Sequence, residues 1–372
     1  MHMHRAIHEG FNSHNEERRA IRGRAVALAA VVASLTIATA TPAMASADSA
    51  AIFDEASARG PKPTKVPVLV DAAADLTARP DRPNESWYVI AHVKAGRHRY
   101  GFLAHYLTMG DAAKGFASSA VSITDETTGW YSRSEVLLPP RTGLSQSPGV
   151  DIHTPNISWT GNASQMTLQV NVPEGQIDVA LRPRGAVLYN LGTGYFPMFA
   201  DPQYPNHEYG LPAIDTTGTL RLEGRTLEVE GQSWMDHQWG PLPDFTATGA
   251  GWTWLGISLS NGVKISLWKT RLNTTNTWAT VLAPDGTHTV AEATLTPGAS
   301  GTWTSPDSHV TYPSHWTATI PGLRAALKIT AAANNQELLL PGPRYEGSAA
   351  VAGIFEGRAV TGSTYVEIAG AQ

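Results

Sequence analysis

From Trp87 onward, apolar and polar residues exchange places with a period of two. Trp87, Val89 and Ala91 alternate with Tyr88, Ile90 and His92, and Arg99–Leu107 follows Gly96, which predicts an opening hairpin. Further strands are expected at Ala120–Thr124, Gly129–Leu137, Ile157–Thr160, Gln165–Val172, Ile177–Pro183 and Arg221–Glu230, with Gly- and Pro-bearing turns between them. The longer connection from Asn190 to Gly210 is aromatic-rich and has no clear period, a common trait of functional loops. The rhythm resumes at Gly251 and continues through Trp278–Leu282, His288–Leu295, Tyr312–Ile320, Ala325–Ala331, Gln336–Leu340, Tyr345–Phe355 and Tyr365–Ile368. No stretch of ten or more residues holds a 3.6-residue period. The fold class is therefore all-β, of the barrel or sandwich kind.

One stretch concentrates the chemistry. Gly231-Gln-Ser-Trp-Met-Asp-His-Gln-Trp-Gly240 follows the alternating run Thr226–Glu230, so it continues as strand until Gly240-Pro-Leu-Pro243 stops it. On a strand, Trp234, Asp236 and Gln238 share one face and Met235, His237 and Trp239 the other. Titratable groups beside indoles at a strand end suit a small-molecule pocket. They equally suit a buried Asp–His brace beneath aromatic residues. Downstream, Asn261-Gly262 between Gly251–Ser260 and Val263–Lys269 is a hairpin signal. A two-residue turn there places Trp252 and Trp254 with Ile265 and Leu267, and Leu255, Ile257 and Leu259 with Ser266 and Trp268. Both faces are partly apolar, so pattern does not choose the cavity side.

Composition narrows the class. In 372 residues, only 16% are charged while Gly numbers 34 and Trp 11, a balance that favours β structure over helical bundles. Residues 1–47 read as a secretory signal: Arg18, Arg19, Arg22 and Arg24 precede an apolar run from Ala25 to Ala40, and Ala45-Ser-Ala47 offers a cleavage site. The Arg pair hints at twin-arginine export, without the usual apolar pair after it. The apolar run is short for a stable membrane span. Cleavage removes five Arg and three Glu from 27 basic and 32 acidic residues, leaving 22 and 29. A mildly acidic chain has no basic stripe for nucleic acid. Residues 48–82 are expected as a flexible lead-in, 83–220 as an N-terminal β domain and 221–372 as a C-terminal one. Cysteine is absent, which excludes thiol nucleophiles and thiolate metal sites.

The sequence holds no nucleophile elbow, zincin helix motif, Walker loop or dinucleotide fingerprint. Four of the thirteen histidines precede residue 15, and the rest lack ligand spacing, so neither a metal nor another cofactor is expected.

Several short motifs resemble the AttH/CrtC-like family in the family's order, from about residue 83 to the C-terminus. They are Glu85-Ser-Trp-Tyr88, the Gly231–Gly240 stretch, Gly251-Trp-x-Trp254, Tyr312-Pro-x-x-Trp316, Asn335-Gln-Glu337, Tyr345-Glu-Gly347 and Gly362-x-x-Tyr-Val-Glu367. That group includes carotenoid 1,2-hydratases, kievitone-hydratase-like proteins and Diels–Alder-type cyclases, often labelled secreted hydrolases. The resemblance implies two consecutive lipocalin-like (calycin) β domains, a hydrophobic cavity and an apolar unsaturated substrate. It maps the functional His-x-aromatic pair of the carotenoid hydratases onto His237 and Trp239. Their acid, an aspartate in the following hairpin, has no counterpart in Lys264-Ile-Ser-Leu-Trp268, so cavity and fold carry over but that acid does not.

The expected activity is hydration or cyclisation, with Asp236 and His237 as proton-transfer residues and Trp234, Gln238, Trp239, Trp252, Trp254 and Tyr345 around the substrate. Burial raises a carboxylic acid's pKa, which is what alkene protonation requires. Glu208, Tyr345 and Glu346 are candidates for a second titratable group. The alternatives are an extracellular carrier of lipids or pigments, and a purely structural tryptophan core. The sequence does not reveal the oligomeric state.

Overall fold

The computed structural model describes residues 68–370 apart from 83, 112 and 113. The signal segment expected over 1–47 lies outside them, as does most of the lead-in. Residues 68–82 pack instead of trailing: Val70, Ala72, Leu76 and Ala78 are buried, and the Trp87 indole N–H donates to the Leu76 carbonyl at 3.1 Å.

Antiparallel strands build two large sheets. The first contains β1 (Glu85–Ala95), β2 (His98–Met109), β3 (Phe116–Asp125), β4 (Tyr131–Leu138), β5 (Val150–His153), β6 (Ile157–Asn162), β7 (Gln165–Val172), β8 (Gly175–Pro183), β9 (Leu188–Tyr189), β10 (Tyr195–Pro197), β11 (Pro205–Leu222) and β12 (Arg225–Trp239). Its order is β4-β3-β2-β1-β12-β11-β8-β7-β6-β5, with β9 and β10 on β11. The second contains β13 (Gly251–Leu259), β14 (Lys264–Arg271), β15 (Thr275–Leu282), β16 (His288–Glu292), β17 (Thr294–Pro297), the separate pair β18 (Thr302–Thr304) and β19 (Thr311–Pro313), β20 (His315–Ile320), β21 (Ala325–Ala331), β22 (Glu337–Leu338), β23 (Arg344–Phe355) and β24 (Arg358–Gly370). Its order is β16-β15-β14-β13-β24-β23-β21-β20-β17, with β22 on β23. In each sheet the first long strand pairs with the last, β1 with β12 and β13 with β24. Each sheet curls around its own apolar interior.

Two sequence expectations change. Arg221–Glu230 is not one strand, because Glu223 and Gly224 (φ 51° and 75°) form a tight left-handed turn between β11 and β12. A boundary at 220/221 therefore falls inside β11, and the chain changes sheet between Trp239 and Gly251. The Asn261-Gly262 hairpin has a three-residue loop: Leu259 N–H bonds to the Val263 carbonyl at 2.9 Å, and Gly262 takes φ 85°. That one-residue difference reverses the expected faces. Trp252, Trp254 and Gly256 lie opposite Thr270, Trp268 and Ser266, while Leu255 and Ile257 lie opposite Leu267 and Ile265 and fill the second interior.

A third apolar cluster joins the sheets. Tyr88, Ile90, Leu103, Phe196 and Trp234 of the first meet Trp254, Trp268, Trp278 and Tyr365 of the second. The alternation along β1 is thus buried on both sides, with Trp87, Val89 and Ala91 inside the first sheet and Tyr88 and Ile90 against the second.

Candidate active site

Between the outer faces of the two sheets lies a cavity of about 640 Å³. The aromatic and aliphatic wall includes Leu107, Met198, Phe245, Trp252, Trp254 and Trp268, and the polar groups include His105, Glu208, Asp236, Gln238, Arg344 and Glu367. Local sequence explains how β11 and β12 furnish one side. Pro212 cannot donate to the ladder, and the register slips by a bulge between Leu211 and Ile214. Beyond the slip, Gly210 stands opposite Asp236 and Glu208 opposite Gln238. A Cβ on Gly210 would sit 2.4 Å from Asp236 Oδ1, so glycine leaves the space this carboxyl occupies.

Asp236 is buried on the cavity wall, and the Trp234 indole N–H donates to its Oδ1 at 2.7 Å. Burial pushes its carboxyl up to about 8; the Trp234 hydrogen bond opposes this and the Glu367 charge reinforces it. Burial likewise raises Glu367 to about 7, with Arg344 and the Trp252 indole pulling the other way. Glu208 is held well above the carboxylate range by burial and by Asp236, and Asn190 donates to it. Glu346 is raised by burial and Glu367; it accepts from Tyr88 Oη at 2.8 Å and Arg344 Nε at 3.2 Å. His105, with Nε2 2.9 Å from Ser86 Oγ, is lowered to about 3 by burial and Arg344 and stays neutral. At neutral pH the cavity therefore offers protonated Asp236 and Glu208, a Glu367 that can gain or lose its proton, and a neutral imidazole. Among the described residues no three His, Asp or Glu side chains converge as metal ligands.

The other expected site residues divide. Gln238 lines the cavity and donates to Asn206 Oδ1 at 3.0 Å. Trp252 and Trp254 line it as well, and the Trp254 N–H donates to Ser266 Oγ at 3.0 Å. Trp239 borders the mouth beneath the Arg82 guanidinium, 3.8 Å from its ring centre. Trp234 stands behind Asp236 and does not border the cavity. Tyr345 points into the second sheet's interior, packs on Tyr312 and Trp316 and donates to the Ala333 carbonyl at 3.0 Å.

His237 faces away from the cavity, into the first sheet's interior. It stacks on Trp87 with ring centres 4.6 Å apart, meets Tyr209 edge-on and lies tilted against Trp239. Its Nε2 is 3.3 Å from Glu85 Oε1, within ion-pair range but without hydrogen-bond alignment. Burial lowers its pKa, partly offset by Glu85. Asp236 and His237 are therefore not a pair: neighbours in sequence, they sit on opposite sides of one strand.

Residues 63–371 match the family model described as AttH-like. This chain belongs to the AttH-like family. The dehydratase asqC of Emericella nidulans is 28% identical over 224 residues, 56% of this chain. The match spans 62% of that dehydratase, a little under two thirds of its length. Among solved structures, a protein of Nitrosomonas europaea described as AttH superposes with a TM-score of 0.72 at 17% identity, covering 83% of this chain and 98% of that one. Kievitone hydratase of Nectria haematococca superposes with a TM-score of 0.70 at 22% identity, covering 84% and 98%. The all-β fold of this AttH-like chain is the fold of those structures.

Sequence reading missed Tyr88, His105, Trp268, Arg344 and Glu367 in the AttH-like cavity. Glu367 carried a signal: in Tyr365-Val-Glu-Ile-Ala369 the carboxylate takes the position of a Tyr and an Ala that also face the first sheet. Trp268 was placed on the wrong face by the one-residue turn difference.

Proposed function

We propose that this chain is an exported enzyme that adds water to, removes water from or cyclises an apolar unsaturated small molecule in the cavity between its sheets. One observation carries the reading: Asp236 is a carboxyl pushed up to about 8 in an aromatic-walled cavity large enough for a small natural product. The names of the dehydratase and hydratase relatives point to the same chemistry.

In this reading Asp236 acts at oxygen: it gives its proton to a departing hydroxyl and, in the hydration direction, takes one from the attacking water. The positive charge that develops on carbon faces the rings of Trp252, Trp254 and Trp268, each contributing on the order of 1–2 kcal/mol when desolvated. Low polarity keeps stray water from the cation except where Gln238 and His105 can hold it. A cyclisation would use the same walls to fold the substrate against the rings. Export is supported by the order of arginines, apolar run and Ala-x-Ala motif in residues 1–47; the intact mass of the exported protein should place its N-terminus near Asp48.

The test incubates purified protein with kievitone and a panel of apolar alkenes and tertiary alcohols in oxygen-18 water, and follows gain or loss of one water by mass spectrometry. Conversion by the wild type, lost in Asp236→Asn, supports the reading. Saturable binding of panel compounds with no conversion of any would make the protein a carrier.

A further inference from the structure

We propose that Glu367, on the second sheet's wall of the cavity, is the proton-transfer partner of Asp236 on the first. The inference rests on the reading of the cavity as a hydration or dehydration site, and it assigns the half of that reaction which a single acid leaves undone. Adding or removing water moves two protons, one at oxygen and one at carbon, so the site needs two groups in opposite protonation states.

The geometry selects Glu367 from the buried carboxyls. Glu346 is engaged by Tyr88 and Arg344 and does not border the cavity. Glu208 borders it but is tied to Asn190, whose amide oxygen in turn accepts from Trp278 at 3.0 Å. Glu367 borders the cavity from β24, paired in register with Trp254, which lines it as well. Asp236 borders the same cavity from β12. The titratable and charged groups around Glu367 are Arg344 and Glu346 on β23, Asp236 on β12, Glu208 on β11, Tyr88 on β1 and His105 on β2. His105 is the rival base, but an imidazole held at about 3 binds a proton too weakly to take one from carbon. Burial raises both carboxyls, so near neutral pH each can hold a proton or take one up.

The step balances. In dehydration the Asp236 proton goes to the hydroxyl, the C–O bond breaks with its electron pair on the departing water, and the Glu367 carboxylate takes the proton from the neighbouring carbon. The C–H electron pair becomes the new π bond. Asp236 ends ionised and Glu367 protonated, and solvent exchange restores both. Hydration runs the same path backwards, Glu367 protonating the alkene and Asp236 deprotonating the attacking water.

The experiment uses full-length exported protein and whichever panel compound the wild type converts, with kievitone tried first. Wild type, Glu367→Gln and Glu367→Asp are assayed across pH for turnover, and in D₂O for deuterium entering the carbon next to the hydroxyl. Melting curves confirm that each variant is folded. The expected result is a bell-shaped profile for the wild type. Glu367→Gln should lose on the order of 10²-fold in kcat, one limb of the bell and the deuterium incorporation. Glu367→Asp should recover part of all three. Turnover within threefold of wild type in a folded Glu367→Gln, with deuterium still incorporated, overturns the assignment and leaves the hydratase reading standing. No conversion of any compound by the wild type removes the hydratase reading itself, and the partner role falls with it.

Discussion

Asp236 and His237 are adjacent in the chain and serve different halves of the molecule. Alternation along β12 already separated them, but could not say which face was the cavity, because both faces of the strand are buried. One lies inside the first sheet and the other against the second, so a polar residue on either carries the same signature in sequence. The structure allots Asp236 to the cavity, and two expectations follow. Asp236→Asn should remove turnover by 10²-fold or more, the usual scale for losing a general acid. It should also change stability with pH in a defined sense. The folded pKa of about 8 lies above the unfolded value of roughly 3.9, so between them the folded protein keeps a proton that the unfolded chain has lost. Stability from this group is fully present below about pH 3.9, falls as pH rises, and is gone above about 8. The Asn variant lacks that slope, so the difference in melting temperature, variant minus wild type, should be more positive at pH 8 than at pH 5. His237→Ala should behave differently: emptying the space between Trp87, Tyr209 and Trp239 should cost roughly 2–5 kcal/mol in urea unfolding, the range for truncating large buried side chains. Turnover per folded molecule should stay within tenfold of wild type.

At the scale of elements, most strands were readable from period two, and the errors came from turns. Asn261-Gly262 was a correct hairpin signal with the wrong loop length, and one residue of register exchanged the two faces of β14. Glu223-Gly224 did leave a mark in the sequence: the apolar positions shift phase from Leu220 and Leu222 to Leu227 and Val229, and the strand drawn over Arg221–Glu230 ran across that break. The pairing of β11 with β12 was beyond sequence in a further respect, since a bulge at Pro212 determines what faces Asp236. Gly210 tests that pairing directly. Gly210→Ala puts a methyl 2.4 Å from Asp236 Oδ1 and 3.3 Å from the Trp234 indole nitrogen, so the short Asp side chain must move and its hydrogen bond must break. We expect turnover to fall at least tenfold with the β spectrum intact, measured by circular dichroism beside the assay. A fully active Gly210→Ala would mean that Asp236 need not hold this position.

For the whole molecule, the decisive feature is that the cavity belongs to neither sheet alone. Each interior is lined by its own apolar side chains, and the aromatic-walled cavity opens where the two outer faces meet. The sheets are joined by polar contacts as well as by the aromatic cluster. Glu135 on β4 accepts the backbone N–H groups of Leu339 and Leu340 at 2.7 Å each, and Arg133 donates to the Glu337 carbonyl at 2.6 Å. Thr124 donates to Gln336 at 2.9 Å and Ser348 to Glu126 at 2.6 Å. Separating the sheets would strand these groups and expose Trp254, Trp268 and Tyr88 to water, so neither sheet should remain folded without the other. Thermal unfolding should be a single transition, with far-UV circular dichroism and tryptophan fluorescence coinciding. Glu135→Ala leaves two backbone donors near the junction without their carboxylate, at a cost of about 1.5–3 kcal/mol for each charge-assisted bond at most. It should lower that one transition without splitting it. An apolar compound that occupies the cavity should raise the same transition, because it binds only when both walls are in place. Two resolved transitions in the wild type, with only one shifted by the compound, would show that one sheet holds the ligand alone and would remove the junction as the origin of the site.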